Sequence, residues 1–209
     1  MITNVYIDGF NLFYGSLKGA NYTWLDLALV AQALVPGHQI NQIKYFTAIV
    51  EQRPNKPFQQ RRQLIYLRAL RTIPNLSIHY GKFRTRPKMQ PLVNPIAGLP
   101  SIVQVLNTEE KGTDVNLATH LLVDGFKNDY EQAVVISNDT DLILPIRVVR
   151  DDLLKPVGVI NPSNRVGQPK DLRDVATFRG QLRSKVLAAC QFPATMTDSN
   201  GTITKPPTW

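Results

Sequence analysis

Short apolar runs that stop abruptly at acidic turns, alternating with stretches of helical spacing, constrain this chain more than any other feature. Residues 3–7 are apolar and β-branched, and Asp8-Gly9 ends them; residues 133–137 stop in the same way at Asn138-Asp139. Such runs read as strands buried on both faces. Residues 39–50, 76–80 and 157–160 read as further strands, and 102–106 as an additional one. Helical patterns fill the gaps: 24–34 with Thr23 as its cap, 57–71, 114–126 behind Thr113, 142–150 despite Pro145, and about 178–189. In 57–71 the expected buried face is Leu64, Ile65, Leu67 and Leu70. Strands alternating with helices predict a three-layer α/β/α fold around a central, mostly parallel sheet. Residues 82–100, rich in Pro, Lys and Arg, read as a long basic loop excursion. From Gln191 the chain turns Pro-, Thr- and Gly-rich, as an irregular tail would. The expectation is one domain over 1–190 and a tail over 191–209.

Open parallel sheets bind ligands beyond the carboxyl ends of their strands, where the strand order switches. Asp8 and Asp139 each lie just past a strand, and Asp114 opens a helix, so one rim is expected to gather all three. Clustered carboxylates repel one another, and a fold that gathers them usually needs a cation. Oxygen-only ligands select hard ions such as Mg2+ or Mn2+. The plain structural alternative is that Asp8 and Asp139 cap turns and that Asp114 answers a helix dipole.

The charge balance points to an acidic partner. Net charge is +8 and the pI is near 9.7, which favours nucleic acid. Between Glu51 and Gln90 stand Arg53, Lys56, Arg61, Arg62, Arg68, Arg71, Lys82, Arg84, Arg86 and Lys88, with Glu51 the one acid. Phe58, Tyr66, Tyr80 and Phe83 are interleaved with them. Cations for phosphates and rings for bases make a track for RNA, single-stranded or structured. A solvated helix face and core packing are the structural alternatives for the helix arginines and for Tyr66 and Tyr80. Arg84, Arg86 and Lys88 are the first choice, because a long excursion without a structural job is usually functional; Arg61 and Arg62 follow. Cys190 is the only cysteine, which excludes an internal disulfide and fits a reducing cytoplasm. No apolar run is long enough to span a membrane, and Asp8 interrupts the early run that a signal peptide would need. The tail is expected to pack on its own domain or on a second copy in a homo-oligomer.

Three segments carry a family resemblance: Tyr6-Ile7-Asp8-Gly9-Phe10-Asn11-Leu12, Lys111-Gly112-Thr113-Asp114-Val115-Asn116-Leu117-Ala118 and Ser137-Asn138-Asp139-Thr140-Asp141-Leu142. In this order the chain resembles the NYN family, a branch of the PIN-like nucleases. The resemblance implies a metal-dependent ribonuclease, acting as an endonuclease, that uses Mg2+ or Mn2+. The acidic pocket would be Asp8, Asp114, Asp139 and Asp141. Asn11 would be a polar helper that orients a water, a ligand carboxylate or the phosphate. Asp141 would bind metal through water or cap the next helix. Lys111 would steady a phosphate, Ser137 would hydrogen-bond a ligand or phosphate, and Glu109 and Glu110 would be outer groups or part of a solvated loop.

The chain departs from the family pattern twice. Asn138 stands where members often have Gly, a turn that Asn survives because it tolerates positive φ. His120 stands where many members carry another Asp, which makes the site less acidic; His120 would contact Mn2+ or a phosphate, or simply pack. That change favours an alternative, a catalytically weak or inactive RNA-binding module of the same fold. A phosphatase with Asp8 as nucleophile is a further alternative, although the second Asp such enzymes carry two residues on is missing.

Overall fold

In the computed structural model, residues 1–52, 57–95, 98, 100–163 and 167–207 are described. Six strands form one sheet: β1 (Ile2–Asp8), β2 (Gln39–Thr47), β3 (Leu76–Tyr80), β6 (Gln132–Ile136), β7 (Val157–Asn161) and β8 (Phe178–Gln181). Their order is β3-β2-β1-β6-β7-β8, and every pairing is parallel. Alternation along β1 shows why it lies at the centre. Val5 and Ile7 enter the core on one face, Tyr6 enters the other, and all three are fully buried. On the first face pack α1 (Gly9–Leu12, continued by a π-turn to Leu17), α2 (Leu27–Leu34), α3 (Gln59–Leu70) and α7 (Ser184–Ala189). On the second pack α4 (Thr113–Phe126), α5 (Ile143–Arg147) and α6 (Lys170–Val175). This is the expected α/β/α layering. The chain steps outward from β1 to β2 and β3 on one side and returns at β6 on the other. The switch in strand order therefore falls between β1 and β6, where Asp8 ends β1 and Asp139 lies three residues past β6.

Several elements differ from the sequence expectation, each for a physical reason. Asp26 rather than Thr23 caps α2, its Oδ1 accepting from Ala28 N and Leu29 N. The helix starts late because Trp24 and Leu25 are drawn into the core first. In α3, Leu64 is 45% exposed, while Tyr66 is buried and donates to Leu25 O at 2.9 Å. Residues 142–150 divide into a 3₁₀ turn (Thr140–Leu142), α5 and a π-turn (Val148–Asp152). The helix expected near 178–189 is instead β8 followed by the short α7, since pairing with the exposed edge of β7 outweighs local helical spacing.

The expected loop excursion is a two-stranded arm. β4 (Lys82–Pro91) pairs antiparallel with β5 (Ile102–Lys111) in continuous register, from Lys82 opposite Lys111 to Pro91 opposite Ile102. Pro87 and Pro91 are tolerated because a two-stranded ribbon has open edges. The expected irregular tail is also ordered: β9 (Thr195–Asp198) and β10 (Gly201–Thr204) form a hairpin on this chain's own α3. Arg68 holds it with a bidentate pair to Asp198 at 2.6 and 2.8 Å and a bond to Gly201 O at 3.0 Å. Phe192 packs edge-on to Trp24, whose indole N–H donates to Pro193 O at 2.8 Å. Among the described residues no helix is long and apolar enough to cross a membrane. Arg53, Lys56 and Trp209 lie outside the described residues.

Candidate active site

β1 delivers Asp8 to the rim as the N-cap of α1. Its Oδ1 accepts from the backbone N–H of Phe10 (3.1 Å) and Asn11 (2.9 Å). Its Oδ2 accepts from the Asn11 amide at 2.6 Å and the Ser137 hydroxyl at 2.9 Å. Those four donors match the four lone-pair sites of a carboxylate, so a cation held directly by Asp8 displaces one of them. Gly9 must follow, because a Cβ there would lie 2.7 Å from both Phe46 O and the Tyr45 hydroxyl.

The third segment is tied to the first. Asn11 Oδ1 accepts from Asn138 N at 3.3 Å, and Ser137 Oγ accepts from Asp139 N at 3.0 Å. Asn138 does not use positive φ; its amide donates to Asn161 Oδ1 at 2.6 Å instead. Asp139 caps the following turn by accepting from Asp141 N at 3.0 Å. The second segment enters from the arm. Gly112 is the N-cap of α4 in left-handed backbone (φ 95°), so Thr113 is the first helical residue rather than the cap. The Glu110 carboxylate stands in for a cap side chain, accepting from Thr113 N at 3.1 Å and from the Thr113 hydroxyl. Asp114 follows in the first turn.

These three routes converge. Asp8, Asp114 and Asp139 each offer a carboxylate oxygen, and the three lie within 4.8 Å of one another. They line a pocket of about 250 Å³ with Asn11, Glu110, Thr113 and three rings, Phe10, Tyr14 and Phe83. Phe10 meets Phe83 edge-on at 5.5 Å, so the base of the arm closes one side. Burial pushes the Asp8 carboxyl upward, against the hydrogen bonds from Asn11 and Ser137 and with the repulsion of Asp139. Asp114 is raised to about 7 by burial and by the charges of Asp8, Asp139, Glu110 and Asp141. A site this short of positive charge, built from oxygen donors, fits a hard divalent cation.

Of the expected residues, Asp8, Asp114, Asp139 and Asn11 meet in this pocket. Asp141 is exposed and stands outside the trio, although its charge reaches Asp114. Lys111 turns to Glu109 at 3.1 Å and does not line the pocket. Glu110 does line it, so it belongs to the site and not to a solvated loop. Arg84, Arg86 and Lys88 are exposed along β4. Strand alternation places them, with Lys82, on the ribbon face opposite Phe83, which lines the pocket. Arg61 and Arg62 line a separate groove of about 650 Å³ between α3 and the C-terminal hairpin.

His120 is not part of the trio. Its ring packs on His79 with centroids 4.0 Å apart, and its Nδ1 is 3.4 Å from the Lys44 ammonium. Asp124 is buried and pairs with Lys44 at 2.6 Å while accepting from the Tyr6 hydroxyl at 2.7 Å. Sequence reasoning missed Phe10 and Tyr14 as pocket walls. Their signal was position: Phe10 lies within the first acidic segment and Tyr14 one helical turn after it, so both rings follow Asp8 onto the same rim.

A parallel α/β/α sheet with a carboxylate trio at its switch point fits a nuclease-like class of protein. The NYN domain model matches residues 2–179, and the chain belongs to that family. The chain is also 30% identical, over 99% of its length and 75% of the relative's, to a protein named 6-hydroxy-3-succinoylpyridine 3-monooxygenase HspA from Pseudomonas putida. A crystal structure of a protein of unknown function from Vibrio parahaemolyticus shares the fold, with a TM-score of 0.54 at 15% identity, covering 88% of this chain and 93% of the other.

Proposed function

We propose that this protein is a divalent-metal-dependent ribonuclease that cuts RNA internally, and the observation that carries the reading is the Asp8, Asp114 and Asp139 trio at the rim of an NYN domain. The trio would hold Mg2+ or Mn2+, which when bound polarises a phosphoryl oxygen and makes hydroxide accessible near neutral pH. Asn11 and Ser137 fix the Asp8 carboxylate, and the same Asn11 amide steadies the turn that carries Asp139. Phe10, Tyr14 and Phe83 give the pocket an apolar rim that restricts water and offers flat surfaces to bases. Water attacks phosphorus, one P–O ester bond breaks, and no covalent link to the protein forms. The basic side of the β4–β5 arm draws the polyanion in without adding cations to the acidic pocket itself.

The test is cleavage of a labelled, structured RNA at low salt with Mg2+, with Mn2+ and with EDTA, comparing parent and Asp139→Asn. Metal-dependent cutting that the variant loses is the expected result. Salt-sensitive binding of RNA by both proteins with no cutting under any metal would instead select an RNA-binding module.

The name of the Pseudomonas relative raises a second reading, oxidation of a small pyridine acid. An aromatic pocket beside the trio, flanked by Lys18 and Arg62, is the observation that favours it. Oxygen consumption with a hydroxypyridine acid and a reduced nicotinamide would support that reading, and its absence alongside RNA cleavage would dismiss it.

A further inference from the structure

Beside the carboxylate pocket lies a second cavity of about 310 Å³, and Phe10 and Tyr14 line both. Its walls include Phe10, Phe13, Tyr14 and Tyr45, and the charged residues in them are Lys18 and Arg62, with no acid among the described residues. An acidic pocket thus shares two of its walls with one that is aromatic and cationic. Core packing explains Tyr45, which is buried, but not Tyr14, which is 61% exposed. Lys18 lies over the Tyr14 ring, 5.0 Å from its centroid, which keeps a cation at an aromatic wall. The loop opposite is held rigid by α3: Gln63 donates to Ala48 O at 2.8 Å and accepts from Val50 N at 2.8 Å, and Gln60 donates to Val50 O at 3.0 Å. Arg62 lines this cavity and also the groove under the C-terminal hairpin, where Arg61 and Lys205 follow.

A flat aromatic slot with cations at its wall suits a ring that carries an anion. Joined to a site for phosphodiester cleavage, it suits one nucleotide of the strand being cut. We infer that this cavity takes the unstacked base of the nucleotide next to the scissile phosphate, with Lys18 and Arg62 on flanking phosphates. The inference rests on the ribonuclease reading and gives it a strand path: from the carboxylate trio, past Tyr14, into the groove between α3 and the C-terminal hairpin. The cut is then confined to RNA that can splay a base out, namely single strands, loops and bulges.

Abasic scanning tests it. In short oligoribonucleotides cleaved with Mg2+ or Mn2+, removing the base at one position beside the cut should lower kcat/KM by about 5- to 100-fold, the range that base stacking on aromatic side chains supports. Tyr14→Ala should lower kcat/KM for the intact RNA by a similar factor and erase the difference between intact and abasic substrates. Tyr14→Phe, which keeps the ring, should restore the difference between intact and abasic substrates that Tyr14→Ala erases. Equal losses at every abasic position, with cleavage still metal-dependent, would overturn the base slot and leave the nuclease reading standing. If no metal supports cleavage, the nuclease reading falls. The slot is then judged by 2-aminopurine fluorescence of bound RNA in EDTA. Quenching at one position that Tyr14→Ala abolishes supports it, and uniform quenching overturns it. Saturable binding of a free pyridinecarboxylate without any position-specific RNA signal also overturns it, in favour of a small-molecule site.

Discussion

At the scale of single residues, the state of the Asp114 carboxylate is set by its burial and by the acids around it. Its ordinary value is 3.8, and burial with four nearby acids raises it to about 7 in the folded chain. The folded protein therefore keeps a proton that the unfolded chain has released. This contribution favours the fold fully below about pH 4 and is lost as pH rises through 7. Asp8 shifts in the same direction. Metal-free protein is expected to melt at a lower temperature near pH 8 than near pH 6.5, with Mg2+ or Mn2+ restoring more at the higher pH. Asp114→Asn should raise the melting temperature in EDTA near pH 8 and shrink the shift produced by metal. Thermal melts with and without EDTA check both, and cleavage by the variant should fall at least about 100-fold, the scale of a missing metal ligand. Asn11 acts through Asp8 and the Asn138 turn, so Asn11→Ala should weaken metal affinity about 10- to 100-fold; titration calorimetry with Mn2+ reads this without relying on activity. An unchanged affinity would limit Asn11 to a turn bond.

At the scale of elements, the arm divides its labour by strand alternation. Phe83 and Glu110 sit directly opposite one another and reach the pocket, while Arg84, Arg86 and Lys88 occupy the other face. Replacing those three by Ala should weaken RNA binding at low salt. It should also flatten the salt dependence, by about 0.7 in the log–log slope for each phosphate left without its cation, as for single strands. Filter binding at several salt concentrations measures it. A slope equal to the parent's would mean that the arm's cations do not meet phosphate. The sequence held a signal for this ribbon that composition masked: Lys82, Arg84, Arg86 and Lys88 recur at every second position, as on one strand face. Pro87 and Pro91 argued against a strand, and only the open edge of a two-stranded ribbon removes that objection. β8 was hidden for the opposite reason, since its residues have helical spacing and become a strand through the edge that β7 offers.

At the scale of the whole molecule, a buried polar knot pins the second helical layer to the sheet. Lys44 of β2 pairs with Asp124 of α4, Tyr6 of β1 donates to the same carboxylate, and α4 carries Asp114 at its other end. Lys44→Met leaves Asp124 buried without its cation, and global stability should drop by about 3–5 kcal/mol; chemical denaturation checks this. Packed beside the knot, His79 is lowered from 6.5 to about 4 by burial and by the charges of His120 and Lys44. Its folded form resists protonation, so its contribution is complete above pH 6.5 and is lost as pH falls towards 4. His79→Phe should flatten that acid limb in melts followed between those limits. The sequence by itself determined the layered α/β class, the strand that ends at Asp8, the strand that precedes Asp139, and the helix whose first turn holds Asp114, because apolar period and acidic turns are local properties of the chain. It also pointed from these acids to a divalent cation, since a cation relieves like charges gathered at one rim. Only the tertiary structure decided that Asp141 stays outside the trio, that Glu110 comes in, that His120 turns to His79, and that the tail closes over α3. Those outcomes depend on register, on side-chain direction at an edge and on pairings between residues more than a hundred positions apart, such as Arg68 with Asp198, which no local pattern encodes.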